Sequence, residues 1–248
     1  MIDLITYLPF SELNETQLKQ YKIAHQSAFP DIILNSSVMQ DYWPRIEKYF
    51  PFTQIFMLDH DKNLIGFMNT IPIFWDQPLD ELSNDGWDWL VKKGINDYEN
   101  NIQPNTLGGL QIIVTKENQG KGFSKLLIGR AKEVIKNLGY QNFIIPIRPT
   151  FKHHHPEMKM TDYINLKKED RIYDPWIRTH LNSGAKIISV CENSMNISGD
   201  IIFWESLLNQ KIDSSGMYLV KGALNKVHID FEKNHGEYRE DNIWITYN

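Results

Sequence analysis

Residues 110 to 127, LQIIVTKENQGKGFSKLL, constrain the fold more than any other stretch, because an apolar run passes through a glycine-bearing turn into a helical pattern. Leu110 to Val114 is rich in β-branched residues and too short for a typical helix, whereas Phe123, Leu126, Leu127, Ile128 and Val134 recur at helical spacing. A strand is therefore expected to enter a helix through Gln119-Gly120-Lys121-Gly122. Glycine lets the backbone turn sharply and approach a ligand, and the free amides at a helix N-terminus attract phosphate. Lys121 adds a charge. The plainer alternative is a tight strand-to-helix connection with Lys121 solvated. Two other phosphate motifs are absent: the P-loop spacing does not occur, and Lys125 stands where a dinucleotide fingerprint needs its third glycine.

The order of patterns around this turn narrows the choice. An extended N-terminal segment, helix-like segments near 12 to 29 and 36 to 49, and strands near 53 to 59 and 64 to 73 precede it. The apolar run Phe143 to Ile147, a helix from Asp174-Pro175, and Ala185 to Val190 follow. Gln119, Gly122 and Ser124, read as Gln/Arg-x-x-Gly-x-Gly/Ala, resemble motif A of the GCN5-related N-acetyltransferase (GNAT) superfamily, with Ser124 in place of the usual small residue. The succession of elements is similar to that fold across most of the chain. The resemblance implies an α/β (α+β) fold with a central mixed, mostly antiparallel twisted sheet flanked by helices. It further implies that Gln119, Gly120, Lys121, Gly122, Phe123 and Ser124 hold the pyrophosphate of acetyl-CoA or another acyl-CoA, and that backbone at Ile113 and Val114 holds the thioester. The runs RPT, Lys152-His153 and DPWIRTHLNSGAKI, with GALNKVHIDFEKNHGEYREDNIWI near the C-terminus, resemble a bacterial branch of the superfamily.

At 248 residues and 42% hydrophobic content, the chain can bury a substantial core. We expect a single domain over 1–248, with an insertion at 75–105 and a C-terminal extension at 200–248 packed on the same body. A net charge of −5 argues against a generic nucleic-acid or anionic-membrane surface, so a small-molecule acceptor is expected. Cys191 is the single cysteine, which excludes an internal disulfide and fits a reducing compartment. With no secretory signal pattern and no apolar run of membrane-spanning length, the expectation is a cytoplasmic protein. Association as a homodimer stays open.

Tyr42, Trp43, Ile46, Tyr49 and Phe50 form one helical face, either core or the wall of a site. Gly66 within a strand suggests a bulge or a close backbone approach. In the insertion, Trp87 to Lys93 is expected to form a short helix, and its aromatic residues suit either a lid over the acceptor or packing on the sheet. Trp204 and Trp244 are expected in the core.

For chemistry, Asp174 is suited to cap a helix starting at Pro175 and ending at Gly184. Many GNAT enzymes carry a tyrosine four residues before that glycine, where it protonates the departing thiolate. Here the position is His180, whose reference pKa of about 6.5 would suit proton donation near neutrality. A buried structural histidine is the alternative. The family's asparagine seven residues earlier is Tyr173, so its pantetheine contact does not carry over. The expected fourth strand holds Gln111 and no carboxylate, which moves the search for a base to Asp162, Glu157, His153 or a water chain. The connection from Arg148 to Tyr173 should border the cleft, with Arg148, Lys152 and His153 as substrate-binding candidates. His153, His154 and His155 diverge in direction and have no second ligand cluster, so no metal is expected.

Overall fold

A computed structural model describes residues 5–248. Strand β1 (Thr6–Pro9) leads into helices α1 (Glu15–Ala28), α2 (Asp31–Leu34) and α3 (Ser37–Tyr49). Strands β2 (Ile55–Leu58) and β3 (Leu64–Ile73), helix α4 (Gly86–Glu99) and strand β4 (Thr106–Val114) follow. Helix α5 (Phe123–Leu138) connects to β5 (Asn142–Ile147). A long connection then holds α6 (Met160–Tyr163) and the two-residue strands β6 (Lys167–Lys168) and β7 (Arg171–Ile172). The chain finishes with α7 (Pro175–Asn182), β8 (Lys186–Gly199), α8 (Ile201–Leu208), β9 (Gly216–Tyr218), β10 (Val227–Asp230) and β11 (His235–Thr246).

Local chemistry accounts for the helix starts. Asn14 and Gln17 form a reciprocal capping box at α1, each side chain bonding the other's backbone amide at 3.0 Å. Asp174 Oδ1 accepts from the amides of Trp176 and Ile177 at the head of α7, and Pro175 occupies the first turn where no amide is needed. Helix α5 lies between Gly122 and Gly139, at φ +85° and +70°, conformations that cost an L side chain strain.

The main sheet runs β1-β2-β3-β4-β5-β11-β10-β9, with β8 also paired to β11. Among the described residues only β4 and β5 run parallel, as expected for two strands joined through a crossover helix. Their pairing covers Thr106↔Asn142, Leu107↔Phe143 and Gly108↔Ile144 and then stops. Beyond that point β4 stays with β3 out to Val114↔Gly66, while β5 stays with β11 out to Ile147↔Ile243. The sheet therefore splits in its middle.

Side-chain alternation divides the core between the two faces. Ile243 and Ile245 of β11 join Leu107, Phe143, Leu127, Ala131 and Ile177 on the α5–α7 side. Trp244, between them, joins Ile144, Trp43, Leu90, Ile95 and Trp204 on the α3–α4 side. A further cluster under α1 gathers Tyr21, Ala24, Phe56, Phe67 and Ile113. Each such aliphatic or aromatic burial is worth roughly 1.5–3 kcal/mol.

Residues 75–105 carry a helix that packs on the sheet. Helix α4 is longer than the Trp87 to Lys93 segment expected and buries Trp87, Leu90, Val91 and Ile95 against the sheet. At Gly94 a Cβ would lie 2.3 Å from Ile71 Cγ1, so the helix sits directly on β3. Gly66 is a close approach of the same kind, since its Cβ would meet the Ile113 carbonyl oxygen at 2.6 Å. Trp204 and Trp244 are fully buried. No helix among the described residues is long and apolar enough to cross a membrane.

Candidate active site

A cleft of about 1720 Å³ passes through the split between β4 and β5. That exceeds the roughly 300–1,000 Å³ of a pocket for one small ligand and leaves room for an extended cofactor arm beside a second reactant. Its walls include Phe29, Ile33 and Met39 on the side of α1–α3, Ile113 and Val114 on β4, and Trp176 and His180 on α7.

At one end lies the glycine turn. The amides of Gly120, Lys121, Gly122, Phe123 and Ser124 donate to no protein acceptor among the described residues. A Cβ built on Gly120 or Gly122 would meet nothing within 4 Å, so the space in front of these amides is open. An array of free donors at the positive end of a long helix fits a diphosphate. Gln119 Nε2 donates to the Val114 carbonyl at 3.2 Å and ties the turn to the end of β4. Gln119, Gly120, Gly122, Phe123 and Ser124 border the cleft. The Lys121 side chain does not border it and donates instead to Asn118 Oδ1 at 3.0 Å.

His180 borders the cleft from α7 and is fully buried. Its Nδ1 is 2.5 Å from the Tyr247 hydroxyl, its Nε2 has no partner among the described residues, and the Trp176 ring packs at 4.3 Å. Burial lowers the imidazole pKa to about 3. At neutral pH the ring is uncharged, which corrects the expectation of an acid with an ordinary titration. Burial also raises the Tyr247 pKa, keeping it a phenol. Assigned from this network, the Tyr247 O–H donates to Nδ1 and the ring proton resides on Nε2.

The connection after β5 divides its candidates. Arg148 borders the cleft and is fastened from behind: Nε donates to the buried Glu240 carboxylate at 2.9 Å and Nη2 to the Gly222 carbonyl at 2.7 Å. His153 also borders the cleft, with Nδ1 2.9 Å from the Thr150 carbonyl oxygen. Lys152 lies elsewhere. Its ammonium is buried, donating to the carbonyls of His155 and Leu224 at 2.9 and 3.0 Å, and burial lowers its pKa. It is a structural tie to the turn before β10, not part of the cleft wall. Asp162 is exposed and Glu157 pairs with Lys226, and neither borders the cleft. Among the described residues the grouping of possible metal ligands is Asp59, His60 and Asp61 in the β2–β3 turn, away from the histidine run and with His60 and Asp61 exposed.

Two participants escape local sequence reading. Tyr247 is separated from His180 by 67 positions, and Gln111 contacts Asn69 from 42 positions away. The polar character of Gln111 within an apolar strand was its only signal.

No protein-family model matches the chain. The chain is 24% identical over 249 residues to the arginine N-acetyltransferase avaD of Aspergillus versicolor, covering 89% of this chain and 85% of the relative. Among solved structures, it superposes with a TM-score of 0.61 on the loading GNATL domain of CurA from Lyngbya majuscula, at 14% identity and over 99% of this chain and 98% of that one. The chain has a GNAT-like fold. A second GNAT structure, the GphF GNAT-like decarboxylase in complex with isobutyryl-CoA, matches with a TM-score of 0.55 and 13% identity, covering 98% and 97% of the two chains. Both structural likenesses are of fold.

Proposed function

We propose that this chain is a GNAT acyltransferase that moves an acetyl or other short acyl group from acyl-CoA to an amine acceptor by direct attack. The observation that carries the reading is the open row of unpaired amides at Gly120 to Ser124, set at the mouth of the split between β4 and β5. The curated relative, an arginine N-acetyltransferase, supports an amine acceptor. The structural relative holding isobutyryl-CoA supports an acyl-CoA co-substrate.

In the proposed reaction the amine lone pair attacks the thioester carbonyl, a C–N bond forms, and the C–S bond breaks. The proton lost by nitrogen ends on sulfur, giving an amide and free CoA. The amides of Gly120 to Ser124 grip the diphosphate, with Gln119 tying the turn to β4, and backbone at Ile113 and Val114 orients the thioester. His180, uncharged, donates its Nε2–H as a hydrogen bond to the departing sulfur and does not act as an imidazolium acid. Arg148 and His153 are the substrate-binding candidates that remain on the cleft wall. Positioning of the two reactants supplies much of the acceleration. We read 1–248 as one domain, a proposal supported by the pairing of β11 with both β5 and β8. A cytoplasmic setting is supported by the single, buried Cys191.

A second reading is acyl-CoA decarboxylation or hydrolysis, favoured by the absence of a carboxylate on β4 and by the likeness to a GNAT-like decarboxylase. Binding of CoA and acetyl-CoA, followed by thiol release with and without a panel of amines, separates the two. Thiol release that requires an amine and yields an amide supports transfer. Amine-independent release supports the second reading, and binding without release would leave an acyl-CoA-binding module.

A further inference from the structure

Gln111 lies on β4 in the wall of the cleft, is 8% exposed, and has a side-chain oxygen with no partner among the described residues. Its orientation is set from a distance. Gln54 Nε2 donates to the backbone carbonyls of Phe50 and Thr70, each at 2.8 Å, which fixes the nitrogen end of that amide. Gln54 Oε1 then accepts from Asn69 Nδ2 at 3.0 Å and from the Thr70 amide at 3.1 Å. Asn69 Oδ1 is left to accept from Gln111 Nε2 at 2.8 Å. Gln54 and Asn69 are both fully buried, so water does not compete for these bonds.

Main-chain groups at Phe50 and Thr70 thus dictate, through two intervening carboxamides, which end of the Gln111 amide is oxygen. Reversing Asn69 would set donor against donor and acceptor against acceptor at its two contacts, and reversing Gln111 would set its oxygen against Asn69 Oδ1. A buried acceptor without a donor is unfavourable, and native structures keep such groups rarely. Here the group stands in the wall of a reaction cleft, and an N–H brought by a ligand would satisfy it.

We propose that Gln111 positions the acyl acceptor: its Oε1 accepts a hydrogen bond from the attacking nitrogen, and the Gln54–Asn69 pair fixes the direction of that bond. The inference rests on the transferase reading and deepens it by assigning the acceptor subsite and its chemical class, an amine that retains an N–H to donate while its lone pair faces the thioester. A carboxamide oxygen does not take up a proton in ordinary solution, so Gln111 orients the nitrogen and is not its base. Primary amines satisfy both demands, whereas tertiary amines have no N–H to present.

The test compares Gln111→Leu and Gln111→Glu with the wild type, using acetyl-CoA and a primary amine that supports amine-dependent thiol release. Gln111→Leu should lower kcat/KM for the amine by about tenfold or more, as loss of a transition-state hydrogen bond would. The KM for acetyl-CoA and the thermal shift on CoA binding should stay within about twofold, showing that the fold and cofactor end persist. Gln111→Glu keeps an acceptor oxygen for the amine but sets its other oxygen against Asn69 Oδ1, so it should recover only part of the loss. An unchanged amine kcat/KM in Gln111→Leu overturns the proposal while leaving the transferase reading intact. So does a matching loss of CoA binding, which would mark Gln111 as structural. If no primary amine stimulates the wild type although CoA binds, the transferase reading falls and this subsite falls with it.

Discussion

Main-chain amides build the cofactor end of the cleft, whereas buried side chains held by distant partners build the end where chemistry would occur. At Gly120 to Ser124 the donors belong to the backbone and exist whatever the side chains are, provided the two glycines keep their positive φ. At His180, Gln111 and Arg148 the polar atoms depend on Tyr247, Asn69 and Glu240 respectively. The first end should therefore tolerate side-chain loss and resist only changes of backbone shape. The second should be sensitive to single atoms.

The largest expected effect breaks the second end outright. Glu240→Ala leaves the partly buried Arg148 guanidinium without its buried carboxylate and also strips the Tyr238 hydroxyl of the acceptor it bonds at 2.7 Å. Thermal or denaturant unfolding should show a loss of about 3–5 kcal/mol. A loss below 1 kcal/mol would mean that the pair is solvated. Next, His180→Ala should reduce turnover about a hundredfold, the scale of a positioned hydrogen-bonding or acid–base group, while CoA affinity changes by less than about threefold. Turnover at the wild-type level rejects the role of His180 at the sulfur.

At the cofactor end, Gly122→Val should weaken CoA binding by about tenfold, because a β-branched residue at φ +85° strains the turn and moves its amides. Calorimetric titration measures this. The contrast is sharpest with Lys121→Ala, which should alter CoA affinity by no more than about twofold, because an exposed charge on a flexible stem contributes little. A large loss there would make the cofactor end a side-chain site after all.

A pH experiment probes burial of the ring. His180 titrates at about 3 when folded against about 6.5 when exposed, so the unfolded chain binds a proton that the folded chain refuses between those values. Stability should accordingly fall as pH drops from about 6.5 toward 3, by at most about 1.4 kcal/mol per pH unit from this group. Asp88, raised to about 6 by burial, works in the opposite sense: between about 4 and 6 the folded state binds the extra proton, and stability falls as pH rises. His180→Gln removes only the first contribution. Its melting temperature should decline less than that of the wild type between pH 7 and pH 4, and an equal decline would contradict a desolvated imidazole.

The same contrast explains what could be read from residues alone. The bounds of α5 were legible because an apolar helical period lies between two glycines that both adopt positive φ. The split in the sheet was anticipated less directly, through Pro146 in β5. Helix α4 outran its expected length because its second half, Ile95 to Glu99, alternates buried and polar residues without a strong apolar signal. Strand β8 likewise extends past Val190 through Glu192, Asn193 and Asn196, whose polarity hid a pairing with β11 that is interrupted by a bulge and resumes at Met195. Lys152 reads as a surface charge in a long loop, and only the fold brings the Leu224 carbonyl to its ammonium. The mechanical state of His180 was hidden for the same reason, since neither Tyr247 nor the depth of burial is a local property.

The central claim is that backbone nitrogens at the start of α5 hold the diphosphate of acyl-CoA, and an amide-resolved titration of the protein with CoA tests it most directly. The account predicts that the resonances of Gly120 to Ser124 shift together and saturate with CoA, well ahead of those on the far edge of the sheet at β9. If CoA saturates the protein while those resonances stay in place, its diphosphate binds elsewhere and the assignment of this turn is wrong.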